Sequence, residues 1–310
     1  MSLAYCFTAY GGPEVQRFLD VTVPAPARGE VLVRVHAAGV NPVDWKVRAG
    51  MHRSFLPLVL PAVLGREVAG VVVRTGPGVD DLAVGDRVFG ATVGGSGGYA
   101  ELALMPAART ARVPAGVPFV EAAALPIAAG TAHGSLAGLA VAPGDTVLVL
   151  GAGGGVGTMA TQLAAIGGAT VVGTASAGKR VFVESLGATA VAHDEDDVEA
   201  RLRELLPDGP DAVLDLVGGD ALLGAASLLG DRTRVLGVTG EPLATRFGVG
   251  RLVNVGDSAT LSALAGLVGA GRLDPRVHRV FPFVESGNAL ALVESGHVAG
   301  KVVIDVAGDR

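Results

Sequence analysis

Hydrophobic and polar positions change rhythm once along this chain. Before about residue 119 the period is two. Residues 31–37 alternate as Val-Leu-Val-Arg-Val-His-Ala, the pattern of a half-buried strand. Residues 68–75 form a second strong run, a third begins at 86–89 after the turn Val84-Gly85, and 99–104 predicts another short strand. Gly and Pro punctuate these runs at 11–13, 24–29, 76–78 and 94–98. Many short strands between such turns predict a partly open β-barrel.

From about residue 119 onward, helical spacing alternates with short apolar runs. Strands are predicted at 146–150, 169–174, 189–192, 211–216 and 233–238, with helices near 155–167, 178–186, 195–205 and 219–229. Strand–helix alternation at this spacing predicts a parallel sheet covered on both faces, hence a doubly wound α/β domain. Past about residue 252 the repetition stops. A helix at 258–270, a strand at 277–283, another helix and a strand at 301–306 predict a return to the first domain. The expected organisation is 1–118, 119–251 and 252–310.

The chain has 310 residues, long enough for about two domains. Half the residues are hydrophobic but only 4% are aromatic, and there are 47 glycines. Such a core relies on small residues packed closely. A net charge of −6 offers no basic footprint for nucleic acid or an anionic membrane. One cysteine, Cys6, permits neither an intrachain disulfide nor a thiolate cluster, and reads as a small buried hydrophobe. Neither a signal peptide nor a membrane span is visible, so a soluble cytoplasmic protein is expected. The acidic run 193–199 reads as a solvated helix start, with Asp194 as its cap.

The densest chemical signal is 146–157, Thr-Val-Leu-Val-Leu-Gly-Ala-Gly-Gly-Gly-Val-Gly. A strand enters a glycine turn and a helix leaves it, which is the plan of a dinucleotide site. Ala152, Gly154 and Gly157 fill the fingerprint slots, with Gly155 and Val156 between them. Bulk-free backbone lets a pyrophosphate approach, and the helix start offers it unpaired N–H groups. The next strand runs through Thr174 into Ala175-Ser176-Ala177-Gly178-Lys179-Arg180. NAD sites place an acid there for the ribose 2′-hydroxyl. Here no acid stands in the loop and two bases follow, so Ser176 with Lys179 or Arg180 predicts NADPH.

Several motifs in order extend the picture: Gly-Val-Asn-Pro-Val-Asp-Trp-Lys (39–46), Gly-Arg-Glu-Val-Ala-Gly (65–70), Val-Gly-Asp-Arg-Val (84–88), Gly-Gly-Tyr-Ala-Glu (97–101), Ala-Ala-Ala-Leu-Pro (122–126), Gly-Thr-Ala (130–132), the glycine turn, and Gly-Lys-Val-Val (300–303). Together they resemble the medium-chain dehydrogenase/reductase superfamily, in its zinc-free quinone oxidoreductase (zeta-crystallin-like) branch. The resemblance implies an α/β protein with a GroES-like, partly open β-barrel domain and a doubly wound Rossmann domain. It also implies a homodimer, with an edge strand near 247–254 available to a partner. Thr131 matches a threonine that packs near the nicotinamide, Asn41 an asparagine of the same cleft, and Lys179 the base that meets the 2′-phosphate.

Zinc-dependent relatives hold their metal with Cys, His and Cys. The corresponding positions are Asn41, Arg66 and Pro126, with Val43 in the proton-relay slot, so no zinc is expected. Asp44 and Glu67 are expected to pair with Arg66, Lys46 or Arg48. Without a metal, the developing oxyanion must meet Asn41, Lys46, solvent or the ribose hydroxyl. Relatives often carry a Tyr shortly after Arg-x-Gly; here Arg48-Ala49-Gly50 leads to His52, either a proton donor or an exposed loop histidine. The implied activity is hydride transfer from NADPH to a quinone. The alternatives are an enone or alkenal double-bond reductase on the same scaffold, and an NADPH-binding sensor or crystallin-like protein with weak catalysis. The linings 41–56 and 241–256 decide among acceptors.

Overall fold

In the computed structural model, which describes every residue except Phe55, Asp196, Asp231, Arg232, Thr239, Glu241, Asp309 and Arg310, the chain divides into two units. The first holds Met1–Ile127, Gly256–Gly271 and Val277–Arg310; the second holds Ala128–Val255 and Arg272–Arg276. Phe55 and Glu241 of the expected acceptor linings, and Asp196 of the acidic run, lie outside the described residues.

The spine of the first unit is the strand Glu30–Val40. It pairs antiparallel with Glu67–Thr75, with Lys301–Asp305 and with Leu102–Pro106. The sheet path is Val277–Pro282, Lys301–Asp305, Glu30–Val40, Glu67–Thr75, Arg87–Ala91, Thr110–Arg112. A second sheet of three strands joins Gln16–Val21, Ser2–Phe7 and Ala62–Val63. Period-two alternation sends Val31, Val33 and Val35 into the core beside Val68, Val88 and Met105. Each fully buried valine contributes roughly 1.5–3 kcal/mol from water exclusion. Cys6 is fully buried, and burial raises its thiol to about 11, so it packs as a hydrophobe.

Register brings three strand ends together. Gly39 lies opposite Glu67, and Val40 lies opposite Val302. Asn41 follows the spine's end, Glu67 opens one neighbour, and Lys301 opens the other. Three polar residues far apart in sequence are thereby fixed at one edge of the core.

The second unit holds a six-stranded sheet whose pairings are all parallel. Its order is Thr189–Ala192, Thr170–Ala175, Thr146–Leu150, Ala212–Asp215, Arg234–Gly237, Gly250–Arg251. Numbered by sequence within the unit this is 3-2-1-4-5-6, the doubly wound order whose ligands bind beyond the carboxyl ends of the strands. The central strands Thr146–Leu150 and Ala212–Asp215 are buried on both faces, so they read as continuous apolar runs.

Three local expectations are corrected. The strand expected at 99–104 is Leu102–Pro106. Tyr99 instead turns its ring inward, and its backbone ties the small sheet through Tyr5 N–H to Tyr99 O and Tyr99 N–H to Leu64 O. The helix expected at 219–229 is Asp220–Gly224 followed by one 3-10 turn, Ala226–Leu228. Asp194 caps no helix: the cap of Val198–Leu205 is Asp197, which accepts from Ala200 N–H, while Asp194 accepts from Ala177 N–H at 2.6 Å. No helix among the described residues is long and apolar enough to cross a membrane.

Candidate active site

The candidate residues fall into two groups, one in each unit. In the second, the strand Thr146–Leu150 enters the glycine turn and the helix Gly155–Ile166 leaves it. Gly154 is the N-cap in extended backbone, and no side chain caps it. Among the described residues, the first-turn N–H groups of Gly155, Val156 and Gly157 meet no carbonyl or side chain. They are the donors an anion takes at a helix start. The turn must also hug its helix. A Cβ on Gly157 would lie 2.3 Å from the Gly151 carbonyl oxygen and 2.7 Å from the Cα of buried Ala152, so only glycine fits. Thr174 Oγ1 accepts from Gly151 N–H at 3.2 Å and fixes the turn to the neighbouring strand.

Beyond that strand, the loop 176–180 sorts its two bases. The stem of Lys179 lies across the turn: a Cβ on Gly153 would meet its Cδ at 2.8 Å. Burial pulls its ammonium below the usual lysine range. Arg180 instead faces Glu195 at 3.3 Å, an exposed pair of small energetic weight. Ser176 sits at the start of the 3-10 turn Ala177–Lys179, and among the described residues its side chain makes no cap hydrogen bond. The loop thus brings Lys179 to the glycine turn and gives Arg180 another partner. Beside it, a cavity of about 360 Å³ is lined by Leu150, Gly151, Thr174, His193, Val217 and Asp220 among others. It stands at the carboxyl ends of the central strands, where a doubly wound sheet takes the flat end of a dinucleotide. Thr131, on the helix Ala128–Gly138, accepts from Asn254 Nδ2 at 3.1 Å.

In the first unit the three strand ends meet in a buried ion pair. Lys301 Nζ donates to Glu67 Oε1 at 2.8 Å, to Asn41 Oδ1 at 2.7 Å and to Val40 O at 3.3 Å. Asn41 Nδ2 donates to the same Glu67 oxygen at 2.7 Å, and Ile127 N–H donates to Glu67 Oε2 at 2.7 Å. Glu67 is fully buried and Lys301 nearly so. Asn41 also caps the helix Pro42–Arg48: its backbone carbonyl accepts from Asp44 N–H at 3.0 Å, and its own N–H goes to Asp44 Oδ2 at 2.9 Å. Tyr99 Oη donates to that carboxylate oxygen at 2.7 Å, whereas Asp44 Oδ1 is buried with no partner among the described residues. Burial pushes the Asp44 carboxyl up to about 6 against the hydrogen bonds from Tyr99 and Asn41; the Glu67 charge adds to the rise and Arg66 opposes it. The same surroundings hold the Tyr99 phenol far above its ordinary value.

The expected partners of Asp44 and Glu67 are therefore replaced. Glu67 takes Lys301, Arg48 Nη2 donates to both carboxylate oxygens of Glu294 at 2.8 and 3.1 Å, and Lys46 lies 5.6 Å from the Trp45 ring centroid. Strand register decides this, because it carries Lys301 to Glu67. His52 is half-buried; burial, then the charges of Lys46 and Arg66, pull its imidazole below the usual range.

Residues 27–115 match the alcohol dehydrogenase GroES-like domain, and residues 186–304 match the zinc-binding dehydrogenase family. The chain is similar to the chloroplast envelope quinone oxidoreductase homolog of Arabidopsis thaliana, 32% identical over 96% of this chain and 97% of that one. The chain belongs to the quinone oxidoreductase branch of the medium-chain dehydrogenase/reductase superfamily. A second Arabidopsis relative, the chloroplastic NADPH-dependent alkenal/one oxidoreductase, is 33% identical over 97% of this chain and 78% of that protein. The solved quinone oxidoreductase of Coxiella burnetii superposes with a TM-score of 0.89, at 31% identity, over 99% of this chain and all of that one. The protein is thus an oxidoreductase of the GroES-like plus Rossmann-like α/β architecture.

The second matched family is named for zinc, yet the side chains at this oxidoreductase's corresponding positions do not suit the metal. They are the amide of Asn41, already engaged by Lys301 and Glu67, the guanidinium of Arg66 and the ring of Pro126. Lys301 was the functional residue hardest to see. Its motif was visible, but its role depends on partners 234 and 260 residues away. Asp215, which the sequence did not single out, is fully buried, accepts from Val217 and Gly218 N–H and shapes the loop beside the cavity.

Proposed function

We propose that this oxidoreductase is NADPH-dependent and passes hydride to a quinone. The carrying observation is the loop 176–180: its own sequence holds no acid, and the stem of Lys179 lies along the glycine turn. The Gly155, Val156 and Gly157 N–H groups would take the pyrophosphate, Ser176 and Lys179 the 2′-phosphate, and the His193-lined cavity the adenine. Thr131 is assigned to the nicotinamide end. The bound cofactor supplies a hydride. The chain's task is then to orient the acceptor, exclude water and meet the charge that develops on its oxygen.

Asn41 has one N–H committed to Glu67, leaving its second for an acceptor oxygen. Lys46 supplies positive charge. His52, its imidazole pulled down by burial and by the charges of Lys46 and Arg66, is assigned a hydrogen bond to an acceptor oxygen. The edge strand Gly250–Arg251 is proposed as the dimer seam. A second reading, reduction of an enone with hydride to the β-carbon and a proton to the α-carbon, is favoured by the alkenal/one relative. The test is cofactor consumption with NADPH and NADH against a panel of benzoquinones and enones. Turnover of quinones with NADPH is expected. A preference for enones moves the acceptor to the second reading, NADH preference removes the roles of Ser176 and Lys179, and tight binding without turnover leaves a sensor.

A further inference from the structure

An asparagine side chain has two ends of opposite character, an oxygen that accepts and an NH2 that donates. Which end a ligand meets depends on which way round the amide is held. At Asn41 two neighbours decide this. Lys301 Nζ can only donate, and it lies 2.7 Å from Asn41 Oδ1. The carboxylate oxygen Glu67 Oε1 can only accept, and it lies 2.7 Å from Asn41 Nδ2. Lys301 and Glu67 are themselves joined at 2.8 Å, so the four polar atoms close a ring. Turning the amide over would set its NH2 against the ammonium and its oxygen against the carboxylate. Two charge-assisted hydrogen bonds would be lost, and two donor–donor or acceptor–acceptor contacts would replace them.

Both neighbours are held in their turn. The second oxygen of Glu67 accepts from Ile127 N–H at 2.7 Å. A Cβ on Gly39 would overlap Glu67 Oε1 and lie 2.5 Å from Ala123 O, so the strand Glu30–Val40 leaves the carboxylate its place. Lys301 also donates to Val40 O at 3.3 Å. On its other side, the Asn41 backbone is tied to Asp44. Among the described residues, one N–H of Asn41 Nδ2 goes to Glu67 and the other meets no partner. An ion pair this deep adds little net stability, because desolvation offsets most of its attraction. The orientation it imposes on the amide is not offset in that way.

We propose that Lys301 and Glu67 are positioning residues, which hold the Asn41 amide so that the acceptor meets its N–H and not its carbonyl. This rests on the reductase reading above and adds to it two residues that do not touch the acceptor themselves. The direction suits a reduction. A quinone or enone oxygen gains negative charge as hydride arrives, and an N–H aimed at that oxygen binds it more strongly in the transition state, whereas a carbonyl would repel it.

The test separates orientation from stability. Lys301→Met combined with Glu67→Gln removes both charges at once, so no buried ion is stranded. Ile127 N–H still calls for an oxygen. The new glutamine therefore turns its NH2 toward Asn41, which favours the inverted amide. With benzoquinone as acceptor, this double variant should lose at least about tenfold in kcat while its Kd for NADPH stays within about twofold of the wild type. The loss should persist although the double variant is more stable in urea than Lys301→Met alone. Asn41→Ala should lose as much by itself, and adding it to the double variant should lower kcat by no more than about twofold further. A kcat that returns together with stability, or losses that simply multiply in the triple variant, overturns the positioning role. Unchanged turnover in Asn41→Ala removes the Asn41 contact and the positioning role together. Where no acceptor is turned over, the reductase reading falls and the orientation is read without one, from nitrogen–proton correlation spectra of labelled protein. The Asn41 side-chain pair, assigned by its loss in Asn41→Ala, should show one proton exchanging with water at least about tenfold more slowly than the other, a difference the double variant abolishes. Equal exchange in the wild type, or a difference that survives in the double variant, overturns the proposal.

Discussion

The polar network of the first unit and the glycine turn of the second solve opposite problems. Around Glu67, donors and acceptors are spent on one another: Lys301, Asn41 and Ile127 N–H converge on one buried carboxylate. Around Gly154, donors are left unspent, because a turn without side chains exposes three N–H groups at a helix start. The first arrangement holds a shape and has little left to offer a ligand. The second has little shape of its own and offers a great deal. A buried polar network fixes geometry when every member is satisfied, whereas an anion site works because its donors are not.

The contrast is broken most severely at the ion pair. Lys301→Met leaves Glu67 buried with no positive partner and should lower unfolding free energy by about 3–5 kcal/mol in urea denaturation. Adding Glu67→Gln to that variant removes the stranded charge and should restore at least half of the loss. A double variant no better than the single one would mean that the pair does not act as a charge unit.

Asp44 sharpens the same contrast at smaller cost. Its carboxyl titrates near 6 when folded, against about 3.9 unfolded, so the fold favours the protonated acid. That contribution is complete below about pH 4 and is lost as pH rises through 6, a change of about 3 kcal/mol. Asp44→Asn stays neutral throughout. Its stability relative to the wild type should therefore rise between pH 4 and 7 by an amount of that order. A pH-independent difference in denaturation midpoints would contradict the burial argument.

How much of this was legible in the sequence follows from how local each feature is. The strand–turn–helix from Thr146 to Ile166 is a local pattern with a narrow chemical meaning, and its bounds follow the apolar run and the glycines directly. The doubly wound order follows from repeated strand–helix units. The pairing of Lys301 with Glu67 depends on the register of two antiparallel ladders separated by most of the chain. Tyr99 looked like a strand residue because its neighbours are apolar; only its hydrogen bond to Asp44 reveals why it leaves the ladder. Asp194 lies in an acidic run that reads as a helix start, yet it serves the loop after the preceding strand. The glycine turn of the second unit was thus readable one motif at a time, and the Glu67 network of the first needed the fold.

The smallest expected effect separates the two bases of the loop. Arg180→Ala breaks an exposed pair with Glu195 and should change the KM for NADPH by less than about threefold. A much larger increase would transfer the 2′-phosphate contact from Lys179 to Arg180.

The central claim is that the glycine turn, with Ser176 and Lys179, selects a 2′-phosphorylated dinucleotide. Fluorescence titration of the wild type and of Lys179→Ala with NADPH and NADH tests it directly. The wild type should bind NADPH at least about tenfold more tightly than NADH, and Lys179→Ala should lose most of that margin through weaker NADPH binding alone. Equal affinities in the wild type, or a margin that survives Lys179→Ala, would contradict it.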